Sequence, residues 1–485
     1  MADDEHDPRD NSTTVMLELR GRDLALVPPA ALWPLPDDAL YAALFGDVEA
    51  PGAHALLSRD RRGHFLRARP SDFARLRDAL RAHGAFAARV AFDEHPLLPV
   101  PPEVLVAARP YQEDALRAWR AAGYRGVVVL PTGAGKTVLG ALAIADLGLR
   151  TLVVVPTIDL LRQWRAALHQ ALRLPDEQIG TFGGGEHGVA PVTVMTYESA
   201  QLHPELLRRF GLLVFDECHH LPAPTYRQIA EGAFTPYRLG LSATPERADQ
   251  EHVALQRLIG PEVYRREPEE LSAANYLAAY DAQRLPVRLS AADQVRYDEA
   301  RTVYRAYLRT HHIAIASPAD FQRKVLWASA RDSQARAAML AWRAARSLAL
   351  NAPAKLALLE TLFLRHAGER VLVFSEYNSV VEALSRRFAI PAITHKTPLE
   401  ERRAILDAFR AGRYTKLASG RVLNEGVDIP DCGVAVIVSG TATRREYVQR
   451  LGRILRPKAT RAVLYELVTE GTAEERISER RKENP

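Results

Sequence analysis

The stretch Pro131-Thr132-Gly133-Ala134-Gly135-Lys136-Thr137 follows the apolar run Val127–Leu130 and precedes a helical pattern. Glycines at such a strand-to-helix turn let backbone N–H groups wrap phosphate oxygens, and the helix N-terminus adds a positive field. The pattern makes Thr132, Gly133, Ala134 and Gly135 the cradle, sends Lys136 to the β and γ phosphates and sets the Thr137 hydroxyl on Mg²⁺. Leu130 stands where the strict motif has its first glycine. Further on, Leu212-Leu213-Val214-Phe215 runs into Asp216-Glu217-Cys218-His219. An apolar strand ending in two carboxylates delivers them to the sheet edge that carries the phosphate loop. A lone Asp-Glu pair is more often an exposed turn, but coupled to Lys136 it reads as chemistry. Asp216 would hold Mg²⁺ through water, and Glu217 would orient and deprotonate the attacking water. Cys218 reads as a packed residue. His219 reads as a coupling residue, and His220 takes no role.

Parallel strands must position these groups. Val127–Leu130, Thr151–Val155, Val192–Met195 and Leu212–Phe215 are short apolar runs of the kind buried on both sheet faces, with a helical stretch at Asp159–Leu172 between two of them. The α/β rhythm returns at Val371–Phe374, Tyr414–Ala418 and Val434–Val438. Between the two halves, residues 290–350 are helical, with a Ser290/Asp293 capping box and Tyr297, Tyr304 and Tyr307 at helical spacing. Ahead of both, Val15–Arg20 alternates as a strand and Ala55–Arg69 forms a hairpin. Ser71 caps a helix ending at Gly84, and the proline-rich Pro96–Pro102 is a linker. The expected fold is α/β. Residues 1–14 form an acidic tail, 15–102 a small α+β N-terminal domain and 103–280 a first parallel-sheet domain. A helical insertion at 281–350 and a second parallel-sheet domain at 351–485 follow.

The ordered motifs resemble those of superfamily 2 helicases, specifically the XPB-like helicases of archaea and bacteria. Arg109-Pro110-Tyr111-Gln112 is similar to the adenine-sensing entry motif, which implies that Arg109 and Gln112 bind the base. Val155-Pro156-Thr157 with Gln163-Trp164, and Thr196-Tyr197-Glu198, resemble the strand-contacting motifs. Leu241-Ser242-Ala243-Thr244-Pro245 resembles the motif linking hydrolysis to domain movement, which makes Ser242 and Thr244 coupling residues. Val373-Phe374-Ser375, Asn424-Glu425-Gly426-Val427-Asp428 and the run Gln449–Pro457 complete the series. They imply nucleotide contacts from Gly426 and Asp428 and a catalytic role for Gln449. Ile393-Thr394-His395 and Arg445–Gln449 look like the XPB subfamily itself. The family's Arg-Glu-Asp triplet, implicated in DNA opening, corresponds to Arg247-Ala248-Asp249, which lacks the central carboxylate; Arg247 and Asp249 remain as DNA-handling candidates. The resemblance implies two RecA-like domains, a damage-recognition-like N-terminal domain, a thumb-like helical insertion and a nuclease partner.

Arg453 and Arg456 lie three apart and share one face of a helix, as arginines do that meet γ-phosphate charge in the transition state. The second α/β half has no phosphate loop of its own, so one ATP with Mg²⁺ would serve both halves. Over 485 residues the chain is 47% hydrophobic and 25% charged, with a formal net charge of +5 carried mainly by arginine. That balance suits DNA without demanding it. Two cysteines, Cys218 and Cys432, exclude a disulfide framework. No apolar run approaches the ~20 residues of a membrane span, and residues 1–10 lack a secretory core segment. The reading is an ATP-dependent helicase or translocase on duplex, forked or single-stranded DNA in repair, with no membrane partner. It belongs in a prokaryotic cytoplasm, at the nucleoid. An ATP-gated DNA clamp without unwinding is the alternative. An RNA helicase is disfavoured by the Asp-Glu-Cys-His box and the helical insertion.

Overall fold

The computed structural model describes residues 14–20, 23–45, 57–60, 65–90, 96–233, 235–246, 251–274, 276, 280–315, 318–420, 432–439 and 462–483. Two compact units comprise Met1–Leu130 with Gly135–Arg266, and Pro131–Ala134 with Glu267–Pro485.

The first unit begins with a sheet of β1 (Thr14–Arg20), β2 (Asp23–Val27), β3 (Ser58–Asp60), β4 (Phe65–Ala68) and β5 (Ala87–Val90), in the order 3-4-2-1-5. Leu17, Leu24, Leu26 and Leu66 pack against Leu40 and Leu44 of the Asp37–Phe45 helix and Phe73, Leu76 and Leu80 of the Phe73–His83 helix. The expected hairpin is the antiparallel β3–β4 pair. The expected Ser71 cap is not the helix start. A 3-10 turn at Pro70–Asp72 comes first, because proline presets the tight first turn, and Asp72 becomes the N-cap with no side-chain bond. The proline-rich linker is stitched down: Leu98 N donates to Gly148 O at 2.8 Å, and Arg150 N to Pro96 O at 2.7 Å.

The rest of this unit is built on β6 (Glu103–Val104), β7 (Arg125–Val129), β8 (Thr151–Val155), β9 (Leu172–Arg173), β10 (Ile179–Gly183), β11 (Glu186–His187), β12 (Val192–Thr196), β13 (Leu212–Asp216), β14 (Tyr237–Ser242) and β15 (Glu262–Arg265). Eight of these form one sheet in the order 11-10-12-8-13-14-7-15, parallel except for the β10–β11 pair. Strands β8, β12 and β13 are buried at every position, which explains their nearly continuous apolar runs. Since β7, β14, β13, β8 and β12 run in one direction, the loops after them share one edge, where ligands of open α/β sheets bind.

The second unit holds β16 (Tyr280–Val287), β17 (Val371–Phe374), β18 (Ala392–Ile393), β19 (Lys416–Ser419), β20 (Val434–Ile437) and β21 (Ala462–Thr469), all parallel, in the order 16-21-20-17-19-18. Residues 281–287, expected in the helical insertion, are instead an edge strand paired with β21. Asp281, Gln283, Arg284 and Pro286 hide that strand from an apolar-run reading, and an edge position tolerates all four. The insertion itself is a pair of packed helices, Ala291–Thr310 and Ser333–Leu350. Tyr304 and Tyr307 meet Ala335 and Ala338, as core aromatics do at that spacing. Ser333–Arg365 contains an apolar window of mean hydropathy 1.3, the one helical stretch among the described residues long and apolar enough to cross a membrane. It divides into Ser333–Leu350 and Pro353–Arg365, whose Ala338 and Leu359 belong to the cores of this unit. The Ser290 hydroxyl accepts from Asp293 N at 3.1 Å, capping the Ala291–Thr310 helix. Ser290→Ala is expected to cost about 1 kcal/mol, read by chemical denaturation.

Candidate functional site

Strand β7 ends at Val129, and the chain turns through Gly133 (φ 87°) and Gly135 (φ 78°) into the Lys136–Leu147 helix. Left-handed backbone at both positions requires glycine. At Gly135 an added Cβ would also lie 2.6 Å from Gln112 Nε2. The Thr132 hydroxyl is buried with no hydrogen-bond partner among the described residues, as an oxygen does that awaits a ligand. Thr137 sits in the first turn behind Lys136.

The carboxylates arrive from β13, two strands from β7. Lys136 Nζ stands 3.9 Å from Glu217 Oε1 and donates to Leu130 O at 3.2 Å. Asp216 is buried and held at both oxygens: Trp164 Nε1 donates to Oδ2 at 2.7 Å, and Glu217 N to Oδ1 at 3.0 Å. Burial pushes the Asp216 carboxyl up, while Lys136 and the Trp164 N–H pull it back. Two carboxylates facing one ammonium leave a negative surplus that a divalent cation would balance. Glu217 has left-handed backbone, φ 46° and ψ 53°, and leads into a 3-10 turn at Cys218–His220. Non-glycine residues rarely tolerate that conformation, and the strain aims the carboxylate. Burial raises the Cys218 thiol well above its ordinary range, so this residue is inert packing.

The three expected coupling residues come together. His219 Nδ1 lies 3.4 Å from Glu217 Oε2 and 3.2 Å from Ser242 Oγ, and Ser242 Oγ accepts from Thr244 N at 3.2 Å. A continuous polar chain therefore leads from Lys136 through Glu217 and His219 to the end of β14. Gln112 joins the entry helix Pro110–Ala121 to the phosphate loop: its Oε1 accepts from Arg109 N at 2.9 Å, and its Nε2 donates to Gly135 O at 3.2 Å. Arg109 itself donates to Tyr111 OH at 3.1 Å. Arg247, Asp249, Gly426, Asp428, Gln449, Arg453 and Arg456 lie outside the described residues.

Two features escaped the sequence reading. Trp164 and Tyr197, read only as parts of strand-contacting motifs, both grip Asp216; Tyr197 OH donates to Asp216 O at 3.1 Å. Gly183, Gly184 and Gly185 all have positive φ (145°, 62° and 92°). They pack between two helix starts whose caps are Thr157, accepting from Leu160 N, and Thr196, accepting from Ser199 N. A Cβ at Gly183 would lie 2.9 Å from Thr196 Cγ2, and one at Gly184 2.8 Å from Ile158 Cδ1. The signal was present in the sequence as three consecutive glycines after a buried strand.

A phosphate loop, a strand-end Asp-Glu pair and a coupled Ser-Ala-Thr segment on one parallel-sheet edge define a superfamily 2 helicase core. Residues 105–247 match the family model described as "Type III restriction enzyme, res subunit", and residues 354–458 match "Helicase conserved C-terminal domain". The chain is 41% identical over 379 residues to "DNA 3'-5' translocase XPB2" of Sulfurisphaera tokodaii, covering 78% of this chain and 85% of that one. It is 33% identical over 372 residues to "DNA 3'-5' helicase XPB" of Mycobacterium tuberculosis, covering 74% of this chain and 60% of that longer protein. The helicase domain of Pyrococcus furiosus Hef shares the fold, with a TM-score of 0.54 at 18% identity over 76% of this chain and 97% of that one. The chain belongs to the XPB family of ATP-dependent DNA helicases and translocases.

Proposed function

We propose that the chain is a Mg²⁺-dependent ATPase motor that moves along DNA during repair, with 3′-to-5′ polarity. The Lys136–Glu217 approach of 3.9 Å, beside an Asp216 fixed at both oxygens, is the observation that carries this reading. Lys136 with the amides of Thr132–Gly135 would bind the triphosphate, and Thr137 and Asp216 would hold Mg²⁺, which when bound offsets phosphate charge. Glu217 accepts the proton of the attacking water, and His219 passes its state to Ser242 and Thr244. Arg453 and Arg456, with Gln449, are proposed to meet the transferring phosphate, and Gly426 and Asp428 the nucleotide.

The glycine turn 183–185 and the capped helix starts at Thr157 and Thr196 suit a phosphodiester backbone. The relatives, a DNA translocase and a DNA helicase, favour a motor over a static clamp. Arg247-Ala248-Asp249 supports translocation with weak strand separation. A nuclease partner and a cytoplasmic, nucleoid-associated location complete the proposal. ATPase rates with duplex DNA, single-stranded DNA and RNA, measured beside strand displacement, test it. Stimulation at least about tenfold by DNA over RNA is expected, a barrier difference of about 1.4 kcal/mol. Equal stimulation by RNA would refute it.

A further inference from the structure

A buried indole N–H needs an acceptor, and a backbone carbonyl usually serves. Trp119 follows that pattern, donating to Arg238 O at 2.9 Å. Trp164 does not. Fully buried, it donates at 2.7 Å to Oδ2 of Asp216. Its ring also presses on the helix that Lys136 begins: a Cβ at Gly140 would lie 2.4 Å from Trp164 Cη2 and 2.9 Å from Cζ3. That glycine, inside a helix whose other small residues are alanines, leaves the indole its seat. One side chain thus touches the phosphate-loop helix and the metal-side carboxylate, and it belongs to the Ile158–Ala171 helix, which begins at the strand-contacting Thr157.

We propose that Trp164 is the positioning residue of the magnesium carboxylate: its N–H fixes Asp216 Oδ2 and makes the Ile158–Ala171 helix and that carboxylate move as one piece. The proposal rests on the ATPase reading above. Asp216 Oδ1 is already tied to Glu217 N, so the indole sets the remaining rotation of the carboxylate. Groups hydrogen-bonded to a metal-side carboxylate typically change metal affinity by about 10–100-fold when removed. Displacement of Ile158–Ala171 by a bound strand would reach the cation through this bond, a route distinct from the His219–Ser242 chain.

The test is binding of a fluorescent ATP analogue to the full chain, titrated in EDTA and in Mg²⁺. Trp164→Phe keeps the apolar ring and deletes the N–H. It is expected to leave affinity in EDTA unchanged and to raise the half-saturating Mg²⁺ concentration by about 10–100-fold. Excess Mg²⁺ is expected to rescue its turnover, which it cannot do for Glu217→Gln. Gly140→Ala, which keeps every donor but unseats the ring, should shift the Mg²⁺ curve the same way and serves where Trp164→Phe does not fold. An unchanged Mg²⁺ curve, or equal loss of affinity with and without Mg²⁺, would overturn the proposal while leaving the ATPase reading intact. Absence of Mg²⁺-dependent nucleotide binding in the unaltered chain would overturn both.

Discussion

Glu217→Gln is expected to lower ATP turnover by about 10²–10⁴-fold while nucleotide binding survives, because the amide keeps the shape but cannot take the proton of water. The carboxylate lies between Lys136, at 3.9 Å, and His219, at 3.4 Å, so it faces the phosphate end of the site and the coupling chain together. Lys136→Ala should differ in kind. It removes the ammonium that stands beside the carboxylate and is proposed to bind the triphosphate, so affinity and turnover are expected to fall together. Single-turnover hydrolysis beside equilibrium binding of a fluorescent nucleotide separates the two. Full hydrolysis by Glu217→Gln would move the base to another residue. The left-handed backbone of Glu217 permits a sharper contrast. Glu217→Gly should relieve about 1 kcal/mol of strain, raising the unfolding midpoint of the first unit while abolishing turnover.

The catalytic edge was legible because its signals are local. A strand running into Gly-x-Gly-Lys-Thr, and another running into Asp-Glu, place their loops together once parallel order is granted, and β7, β14 and β13 are adjacent. What sequence could not show was which side chains reach across elements. Trp164 is 52 residues from Asp216, and no periodicity announces an indole bonded to a carboxylate. Arg238 is a second case. An arginine in a strand reads as surface, yet it is fully buried and donates to the carbonyls of Thr235, Leu258 and Ala233. Burial pushes its pKa down, and three carbonyl oxygens accept its N–H groups. Strand β16 was missed for a different reason. The apolar-run criterion finds strands covered on both faces, and an edge strand with Asp281, Arg284 and Pro286 is not one.

The same blindness to pairing between residues far apart in sequence hid an ion pair that sets the second expected effect. Lys355 and Glu474 are both buried, with Lys355 Nζ 2.7 Å from Glu474 Oε2 and 2.8 Å from Oε1. Lys355 also donates to Val438 O at 2.7 Å and Leu350 O at 3.3 Å, and Glu474 Oε2 accepts from Thr469 N at 2.8 Å. The pair thus clasps the Pro353–Arg365 helix, the end of β20, the end of β21 and the Ala473–Glu483 helix. Lys355→Met leaves a buried carboxylate without its cation and is expected to destabilise the second unit by about 3–5 kcal/mol. Pairing it with Glu474→Leu should recover part of that loss, because the unpaired charge disappears with its partner. Recovery should stop short of completeness, since Thr469 N and Val438 O then lack partners at about 1–3 kcal/mol each before relaxation. Urea unfolding of the four members of the double-mutant cycle measures the coupling directly. A double variant no more stable than Lys355→Met alone would show that the carbonyl contacts, rather than the ion pair, hold the clasp. The position of the pair gives the result a functional consequence. Val438 follows β20, after which the chain proceeds to Gln449, Arg453 and Arg456, proposed above to meet the transferring phosphate, so loosening it should slow turnover before the unit unfolds. Turnover falling at urea concentrations below the unfolding transition of Lys355→Met, but not of the unaltered chain, is the expected sign.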